Sequence, residues 1–322
     1  MNLEGNNITA GVIGTGNLGR NHARIYSGSE RVEEVYIFDT DAGCAEEVAG
    51  SFGVNVSDSC GELMDRCDLV SVCTPATTHY DIVCTALEQG LHVLVEKPLA
   101  SSSRLGRELV GRARENNLVL QVGHIERFNG AFQAVVPLIK QPKFIEVHRL
   151  STFTARGIDV SVAVDLMIHD LDLVLALLKG SKLTECRSSG AGLLTDSADI
   201  VNTRLEFDNG CVANLTASRV SREAMRKMRI FQKDLYLSLN LREKTVEAFT
   251  ASGDIDIEQA DRDPLSFIRP LDIEVDLSEP LKKEIDSFVE AVTCGGEPLV
   301  SGEDGAAALE LAETILKQVE NS

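Results

Sequence analysis

A charged pair followed by a proline ends one of the apolar runs of this sequence. Glu96 is the last residue of the run His92–Glu96, and Lys97 and Pro98 follow it directly. In open parallel sheets, ligands bind beyond the carboxyl ends of the strands. We therefore expect Lys97 to point toward a ligand cleft, where its ammonium group can stabilise negative charge on a reacting oxygen. A surface lysine paired with Glu96 is the alternative that this segment leaves open.

A second chemical set opens an apolar helical segment. Asp165, His169 and Asp172 lead into a run of leucines and valines that ends at Leu178. At 100° per residue, this spacing predicts that all three side chains share one face of a helix. Histidine suits proton transfer because its unperturbed pKa is about 6.5, and a carboxylate fixes its tautomer and stabilises the imidazolium. An N-cap role for Asp165 beside a satisfied core histidine is the alternative.

A glycine-rich turn joins the first apolar run, Ile8–Ile13, to a helical segment. Gly14 permits a tight turn, Gly16 lets the backbone approach a pyrophosphate, and Gly19 allows close packing of helix on strand. The helix N-terminus adds amide donors and the positive end of its dipole. The candidate dinucleotide-binding residues of this turn are Gly14, Thr15, Gly16, Asn17, Leu18 and Gly19.

An acidic residue stands where the next strand of such a motif would end. Asp39 follows Gly19 by about 20 residues, the spacing at which a carboxylate hydrogen-bonds the adenosine ribose hydroxyls. Asp39 would also repel a 2′-phosphate, and Thr40 and Asp41 bring no arginine. These residues predict NAD rather than NADP. A site for S-adenosylmethionine uses a similar turn followed by an acid, and stays open on these residues alone.

Two halves of the chain must position these groups. Up to Gly123, short β-branched runs alternate with longer helical stretches, which predicts right-handed crossovers and a parallel sheet covered on both faces. After Gly123, strand-like segments separated by turns predict a mostly antiparallel sheet. Asn209-Gly210 marks a hairpin, and one long helix, about 165–178, precedes most of these strands. Helical stretches at 281–293 and 306–319 close the chain, and the acidic stretch 253–263 is predicted to be a solvated loop.

Composition limits the classes of partner. The 322 residues include 31 Lys plus Arg and 50 Asp plus Glu, a net charge of −19, which disfavours nucleic acid and anionic membrane surfaces as bulk partners. Without a bilayer-spanning apolar run or a signal-peptide pattern, a cytoplasmic protein is expected. Eight cysteines without a Cys-x-x-Cys pair are expected to be reduced and structural, with Cys73 the one of interest, and no metal site is predicted.

Taken in order, these segments resemble the GFO/IDH/MocA oxidoreductases over essentially the whole chain. Thr74-Pro75 with His79, and the segment from Gly123 to Asn129, complete the pattern. The resemblance implies an α/β protein: a Rossmann domain, residues 1–123, with a doubly wound parallel sheet, and a C-terminal α/β domain, residues 124–322. The second domain is expected to carry an open, mostly antiparallel sheet that packs against another subunit in a homo-oligomer (dimer or tetramer). The last helix is expected to pack back on the first domain.

The resemblance also implies residue roles. Lys97, Asp165 and His169 are expected to act at the nicotinamide of NAD, although Val164 and Met167 replace small residues common around the aspartate. Beyond the glycine turn, the cofactor residues implied are Asp39, Thr40, Thr74, Pro75, His79, Glu96 and Lys97.

Within the family, residues 122–129 and 156–170 look like those of dehydrogenases that oxidise the 3-position of UDP-N-acetylglucosamine for lipid A or surface polysaccharide. The substrate residues implied are Lys97, Arg127, Arg156, Asp165 and His169. Cations for a pyrophosphate would come from Arg127, Arg149, Arg156 and the cluster Arg219, Arg222, Arg226, Lys227 and Arg229. For that cluster, a solvated strand face is the alternative. A dehydrogenase for inositol or a simple sugar, and a catalytically silent NAD(H)-binding sensor, are the competing functions.

Overall fold

The structure, a computed structural model, describes residues 8–153, 161–251 and 267–321. The chain forms two compact units, Met1–Ile125 with Glu279–Glu310, and Glu126–Ser278 with Leu311–Ser322. The two chain ranges of the first unit show that the segment after Ser278 returns to it. The domain boundary inferred from the sequence, after Gly123, stays a prediction.

The first unit is built on a parallel sheet. Among the described residues it has six strands in the order β3-β2-β1-β4-β5-β6. The order reverses beside β1, and the carboxyl ends of strands on either side of such a reversal form a ligand crevice. The strands are β1 (Ile8–Ile13), β2 (Val32–Phe38), β3 (Asn55–Val56), β4 (Leu69–Val72), β5 (His92–Glu96) and β6 (Leu120–Gly123).

Helices follow these strands, and several begin at a capping side chain. Asp41 accepts hydrogen bonds from the Gly43 and Cys44 amides at the start of α2, and Ser59 and Ser102 accept from amides at the starts of α3 and α5. The helices are α1 (Asn17–Ser27), α2 (Ala42–Phe52), α3 (Cys60–Arg66), α4 (Ala76–Glu88), α5 (Ser103–Glu115), α8 (Pro280–Cys294) and the start of α9 (Gly302–Glu320).

The core of the first unit explains why these segments fold together. Every residue of β4 and β6 is buried, as expected for strands covered on both faces. Tyr26 of α1 and Phe288 of α8 belong to the same buried apolar cluster as Ile8 and Leu94 of the sheet. The predicted parallel α/β arrangement is confirmed, and α8 supplies core residues from far along the sequence.

The second unit carries a mixed sheet. Among the described residues it has eight strands in the order β14-β13-β12-β11-β7-β10-β9-β8, antiparallel except for the β7–β10 pair. The strands are β7 (Pro142–Leu150), β8 (Leu183–Ala191), β9 (Ile200–Phe207), β10 (Val212–Ser218), β11 (Met225–Gln232), β12 (Leu235–Asn240), β13 (Thr245–Ala251) and β14 (Ile268–Pro270). Its helices include α6 (Gly130–Val135) and α7 (Ile168–Leu177).

The hairpin predicted at Asn209-Gly210 is confirmed. Gly210 has φ +78°, its amide donates to the Phe207 carbonyl at 2.9 Å, and β9 and β10 pair on either side. Three strands, β8, β13 and β14, were not predicted. The first is a largely exposed edge strand without clear alternation of apolar residues. The other two lie on either side of residues 252–266. The predicted acidic loop, 253–263, lies outside the described residues.

The eight cysteines are free thiols. Within the described ranges, no helix combines the length and the apolar character needed to cross a bilayer.

Candidate active site

The glycine turn between β1 and α1 is too tight for side chains at two of its positions. Gly14 has φ +90°, and a Cβ there would lie 2.9 Å from the Cys73 carbonyl carbon. A Cβ at Gly19 would lie 1.7 Å from the Gly14 carbonyl oxygen. At Gly16, in contrast, no described atom lies within 4 Å of an ideal Cβ. Gly14 and Gly19 therefore shape the turn, whereas the space over Gly16 is open for a ligand.

The start of α1 suits an anionic cofactor. Gly16 is the N-cap, makes no side-chain hydrogen bond to the first turn, and is followed by no acidic residue in that turn. Asn17 and Leu18 are exposed. The amide donors and the positive end of the helix dipole are thus available to a phosphate group. The residues present fit the pyrophosphate of a dinucleotide.

Asp39 lies immediately after β2 and is tied to the glycine turn. Its Oδ2 accepts hydrogen bonds from the Thr15 amide at 2.6 Å and the Thr15 hydroxyl at 3.0 Å, and its Oδ1 accepts from the Asp41 amide at 2.9 Å. Burial opposes ionisation of Asp39, but these hydrogen bonds outweigh it and lower its pKa. The ionised carboxylate therefore stabilises the fold above its unfolded pKa, and that contribution is lost as the pH falls through its native pKa.

Replacing Asp39 with asparagine tests its part in cofactor choice. We expect Asp39→Asn to reduce the preference for NAD over NADP by about tenfold or more, because like charges 4 Å apart repel by about 1–4 kcal/mol. The matched control is Asp41→Asn, since Asp41 caps α2 and asparagine caps equally well. The ratio of kcat/KM for the two cofactors is the measurement. An unchanged ratio in Asp39→Asn would remove Asp39 from cofactor selection.

The loop after β4 and the segment after β5 are joined by a buried histidine. His79 is 1% exposed, and its Nδ1 and Nε2 each lie 2.8 Å from a backbone carbonyl oxygen, of Pro98 and Thr74 respectively. Thr74 is half-buried, and Pro75 is exposed at the N-cap of α4. His79 thus holds two loops of the protein together, and direct contact of its ring with a cofactor stays a prediction.

Lys97 is half-buried directly after β5, and Glu96 is buried as the last residue of that strand. Oε1 of Glu96 lies 3.1 Å from Nε2 of His22, a fully buried residue of α1 that sequence reasoning missed. A helical period counted from Gly19 places His22 on the inward face of α1, and this was the available signal. The carboxylate predicted to contact the cofactor therefore also has a protein partner.

His22, Cys73 and Glu96 place three potential metal-ligand atoms within 4.8 Å of one another. Both ring nitrogens of His22 already lie at hydrogen-bonding distance from protein oxygens. Burial raises the pKa of the Cys73 thiol well above its usual range, whereas metals and electrophiles need the thiolate. We interpret this group as a hydrogen-bond network and Cys73 as an unreactive thiol. The absence of a metal stays a prediction.

Asp165 and His169 belong to the second unit and lie on either side of a change in helix type. Residues Ala163–Met167 form a π-helical turn, and α7 begins at Ile168. Both side chains are half-buried. The predicted regular helix over 165–178 is therefore wrong at its start, because the turn containing Asp165 is wider than an α-helical one. The N-cap alternative for Asp165 is also wrong, since this residue lies inside the π-turn. Such turns are frequent at functional sites.

The other two aspartates of this segment are bound by arginines. Asp172 is 1% exposed and accepts from Nε and NH2 of Arg127 at 2.7 and 2.9 Å. Asp170 is held in the same bidentate way by Arg149, whose pKa Asp170 raises against the opposing effect of burial. Asp172 is therefore engaged with Arg127, a partner that helical spacing alone could not predict, and a face shared with Asp165 and His169 stays a prediction. Substrate contact by Arg127 stays a prediction.

Most of the predicted cationic cluster is engaged with carboxylates. Arg219 is buried against Asp199, Arg226 pairs with Glu126, and Arg229 pairs with Glu146. Both interpretations of this cluster, a solvated face or a phosphate site, stay open for Arg226 and Arg229, whose side chains remain 52% and 44% exposed. Arg222 and Lys227 are exposed, and Arg156 lies outside the described residues.

A Rossmann sheet with this glycine turn, an open helix N-terminus and Asp39 directly after β2 is typical of a dinucleotide-binding protein. The family described as "Oxidoreductase family, NAD-binding Rossmann fold" matches residues 8–124, and its "C-terminal alpha/beta domain" matches residues 154–322. The chain therefore belongs to the GFO/IDH/MocA oxidoreductases, and it is an NAD-dependent dehydrogenase acting on a CH–OH group. Membership of this NAD-binding family excludes the alternative that the glycine turn binds S-adenosylmethionine.

Relatives match this chain along nearly its full length. UDP-N-acetylglucosamine 3-dehydrogenase of Acidithiobacillus ferrooxidans is 35% identical over 315 residues, 97% of either chain. A solved structure of the enzyme of that name from the same organism superposes with a TM-score of 0.88 at 34% identity, covering 98% of each chain. Inositol 2-dehydrogenase of Rhizobium meliloti is 28% identical and likewise covers 97% of both chains.

Proposed function

We propose that this enzyme oxidises a secondary hydroxyl of a sugar, and that the substrate is a UDP-N-acetylhexosamine oxidised at its 3-hydroxyl, in lipid A or surface-polysaccharide precursor synthesis. The observation that carries the choice of substrate is the 35% identity, over 97% of both chains, to an enzyme named for that reaction. Inositol is the second candidate, because inositol 2-dehydrogenase matches the same length at 28% identity.

The proposed catalytic set is Lys97, Asp165 and His169. When bound, NAD would supply the acceptor for the hydride that leaves the carbinol carbon. His169 takes the proton of the substrate hydroxyl as general base, and Asp165 orients the imidazole and stabilises its charged form. Lys97 donates a hydrogen bond to the same oxygen and stabilises the negative charge that develops there. In the reverse direction Lys97 polarises the ketone and His169 returns the proton.

The charges around His169 support this assignment. Asp170 and Asp172 flank it in sequence, yet each is held by a bidentate arginine, Arg149 or Arg127. A guanidinium matched to a carboxylate satisfies most of its acceptor sites and offsets its charge. We therefore assign Asp170 and Asp172 to their arginines, and Asp165, four residues before His169, to the imidazole.

A substrate panel tests the proposed reaction. We expect NAD reduction, followed by NADH absorbance, to show a higher kcat/KM for UDP-N-acetylglucosamine than for free N-acetylglucosamine, myo-inositol or scyllo-inositol. Turnover of the inositols but of no UDP-sugar would replace the first candidate by the second. NADH binding without turnover of any member would instead favour the silent sensor.

The open face of the second sheet supports the homo-oligomer. Phe144, Phe231, Tyr236 and Phe249 lie directly opposite one another on β7, β11, β12 and β13, with successive ring centroids 5.9, 5.0 and 6.1 Å apart. None of these rings is buried, and Phe231 is 36% exposed. A continuous row of partly exposed rings suits a self-complementary contact with a second copy of the chain.

A charge placed in this row should separate the subunits. We expect Phe231→Glu to lower the molar mass measured by sedimentation equilibrium relative to the wild-type oligomer, because a carboxylate would be desolvated at the contact. Gln89→Glu adds the same charge on the exposed end of α4 and should leave the mass unchanged. A monomeric wild type, or an oligomer unaffected by Phe231→Glu, would contradict the assignment of this face.

A further inference from the structure

A buried hydrogen-bond chain runs from α1 to the end of β5. His22 has no exposed surface, and its Nδ1 lies 3.0 Å from the Ser71 hydroxyl oxygen while its Nε2 lies 3.1 Å from Oε1 of Glu96. The Ser71 hydroxyl is 2.8 Å from the hydroxyl of Tyr26, which is also fully buried. Tyr26, Ser71, His22 and Glu96 therefore form one connected network.

The direction of the donors follows from the two ends of this network. Burial raises the pKa of the Tyr26 hydroxyl far above its usual range, so it remains a donor. We assign Nε2 of His22 as the donor to the carboxylate oxygen of Glu96. Nδ1 then accepts from Ser71, whose oxygen accepts from Tyr26. All three donors point toward Glu96, and the tautomer of His22 is set by the network.

The second oxygen of Glu96 is confined by the neighbouring strand. Gly123 of β6 is the residue paired with Glu96, and a Cβ there would lie 2.9 Å from Oε2 and 3.1 Å from the carboxyl carbon. The carboxylate thus occupies space that any side chain at position 123 would need. One oxygen of Glu96 thus lies beside His22, and the other lies in space that is open only because residue 123 is glycine.

We propose that His22 is a positioning residue for Lys97. By fixing the side chain of Glu96, it fixes the backbone from which Lys97, the next residue, leaves β5. This inference rests on the proposed catalytic role of Lys97. Catalytic groups must be held within about 0.5 Å of their productive position, and an error of about 1 Å can cost roughly 10²-fold in rate.

A purely structural histidine would not need this arrangement. Replacing a buried polar network by well-packed apolar side chains is often neutral for stability, whereas a partly broken one is costly. The donors of this network are instead directed toward Glu96, the residue before Lys97. We therefore interpret the network as one that holds Glu96 in place.

Two amide substitutions test the two ring nitrogens of His22 one at a time. In His22→Gln the amide nitrogen reaches about the position of Nε2 and donates to Glu96. In His22→Asn the shorter amide ends near the position of Nδ1, so it bonds Ser71 but cannot reach Glu96. We expect His22→Asn to lower kcat by about 10- to 100-fold and His22→Gln to keep it within about threefold of wild type. The dissociation constant of NADH should change little in either.

Coupling to Lys97 is the decisive comparison. In a Lys97→Met background, His22→Asn should cause no further loss of kcat, because a residue that acts through Lys97 has nothing left to position. His92→Gln is the matched control, since His92 is a histidine at the opposite end of β5 that accepts from the Val119 amide. It should leave kcat unchanged.

Hydrogen exchange gives a readout that needs no substrate. We expect the amides of Lys97, Leu99 and Ala100 to exchange faster in His22→Asn than in His22→Gln or wild type. If His22→Asn does not fold, Tyr26→Phe, which removes the far donor, should shift exchange in the same direction by less. Equal kcat losses in His22→Asn and His22→Gln, additivity with Lys97→Met, or unchanged exchange would overturn the positioning role. Normal turnover in Lys97→Met would instead reject the proposed function, while the exchange result still reports on His22.

Discussion

Lys97→Met is expected to lower kcat by about 10²–10⁴-fold while leaving NADH affinity within a few-fold of wild type. Methionine keeps the length and apolar stem of the half-buried lysine but removes the ammonium group that, in the proposed mechanism, donates to the developing alkoxide. That interaction strengthens in the transition state, so its loss appears in kcat rather than in binding. Steady-state kinetics and NADH fluorescence titration measure the two quantities.

The control for this variant lies in the same unit. Lys282→Met removes an exposed lysine of α8 that pairs with Asp286 in an i,i+4 arrangement, which is worth at most about 0.5 kcal/mol. It should leave kcat unchanged. His169→Asn should reproduce the loss seen in Lys97→Met, because the proton acceptor is then missing. Near-normal turnover in Lys97→Met and His169→Asn would rule out the proposed catalytic set.

Alanine at two glycines of one turn should give opposite phenotypes. In Gly19→Ala the new methyl group would lie 1.7 Å from the Gly14 carbonyl oxygen, so the turn must move. We expect a loss of unfolding free energy of about 1–3 kcal/mol or more. In Gly16→Ala no described atom obstructs the methyl group, and φ −61° suits alanine, so the melting temperature should stay near that of wild type.

Gly16→Ala is instead expected to impair cofactor binding. Because the Gly16 methyl group would stand where a pyrophosphate approaches the backbone, Gly16→Ala should weaken NAD binding by about tenfold or more, equivalent to about 1.4 kcal/mol. Thermal unfolding with and without NAD measures both effects, since bound NAD raises the melting temperature only where affinity persists. A Gly16→Ala protein stabilised by NAD as strongly as wild type would show that the cofactor does not approach there.

Local patterns predicted the first unit well because its signals are local. The runs at β1 and β5 have the predicted bounds, since the signal of a β-branched apolar run acts over a few residues. The elements β3 and α3 were not predicted. They have only two and seven residues, which is too short for a periodic pattern of apolar residues to be recognised.

The second unit shows where local patterns fail. The order of the aspartates predicted one shared helical face, but the π-turn at Ala163–Met167 changes the winding before His169. Arg127 lies 45 residues before Asp172 and Arg149 lies 21 before Asp170, and no helical or strand period connects either pair. Two of the arginines expected to meet a pyrophosphate, Arg127 and Arg149, pair with the buried carboxylates of Asp172 and Asp170.

The sequence by itself determined the class of fold, the dinucleotide turn and the candidate chemical groups Lys97, Asp165 and His169, because each depends on residue types at short, regular spacing. Only the tertiary structure decided which charged groups are already neutralised and which are held. The chain from Tyr26 through Ser71 and His22 to Glu96 joins residues up to 74 positions apart. Such a contact forms because strand pairing and helix packing bury these groups together, and a buried donor must find its acceptor wherever the fold has placed it.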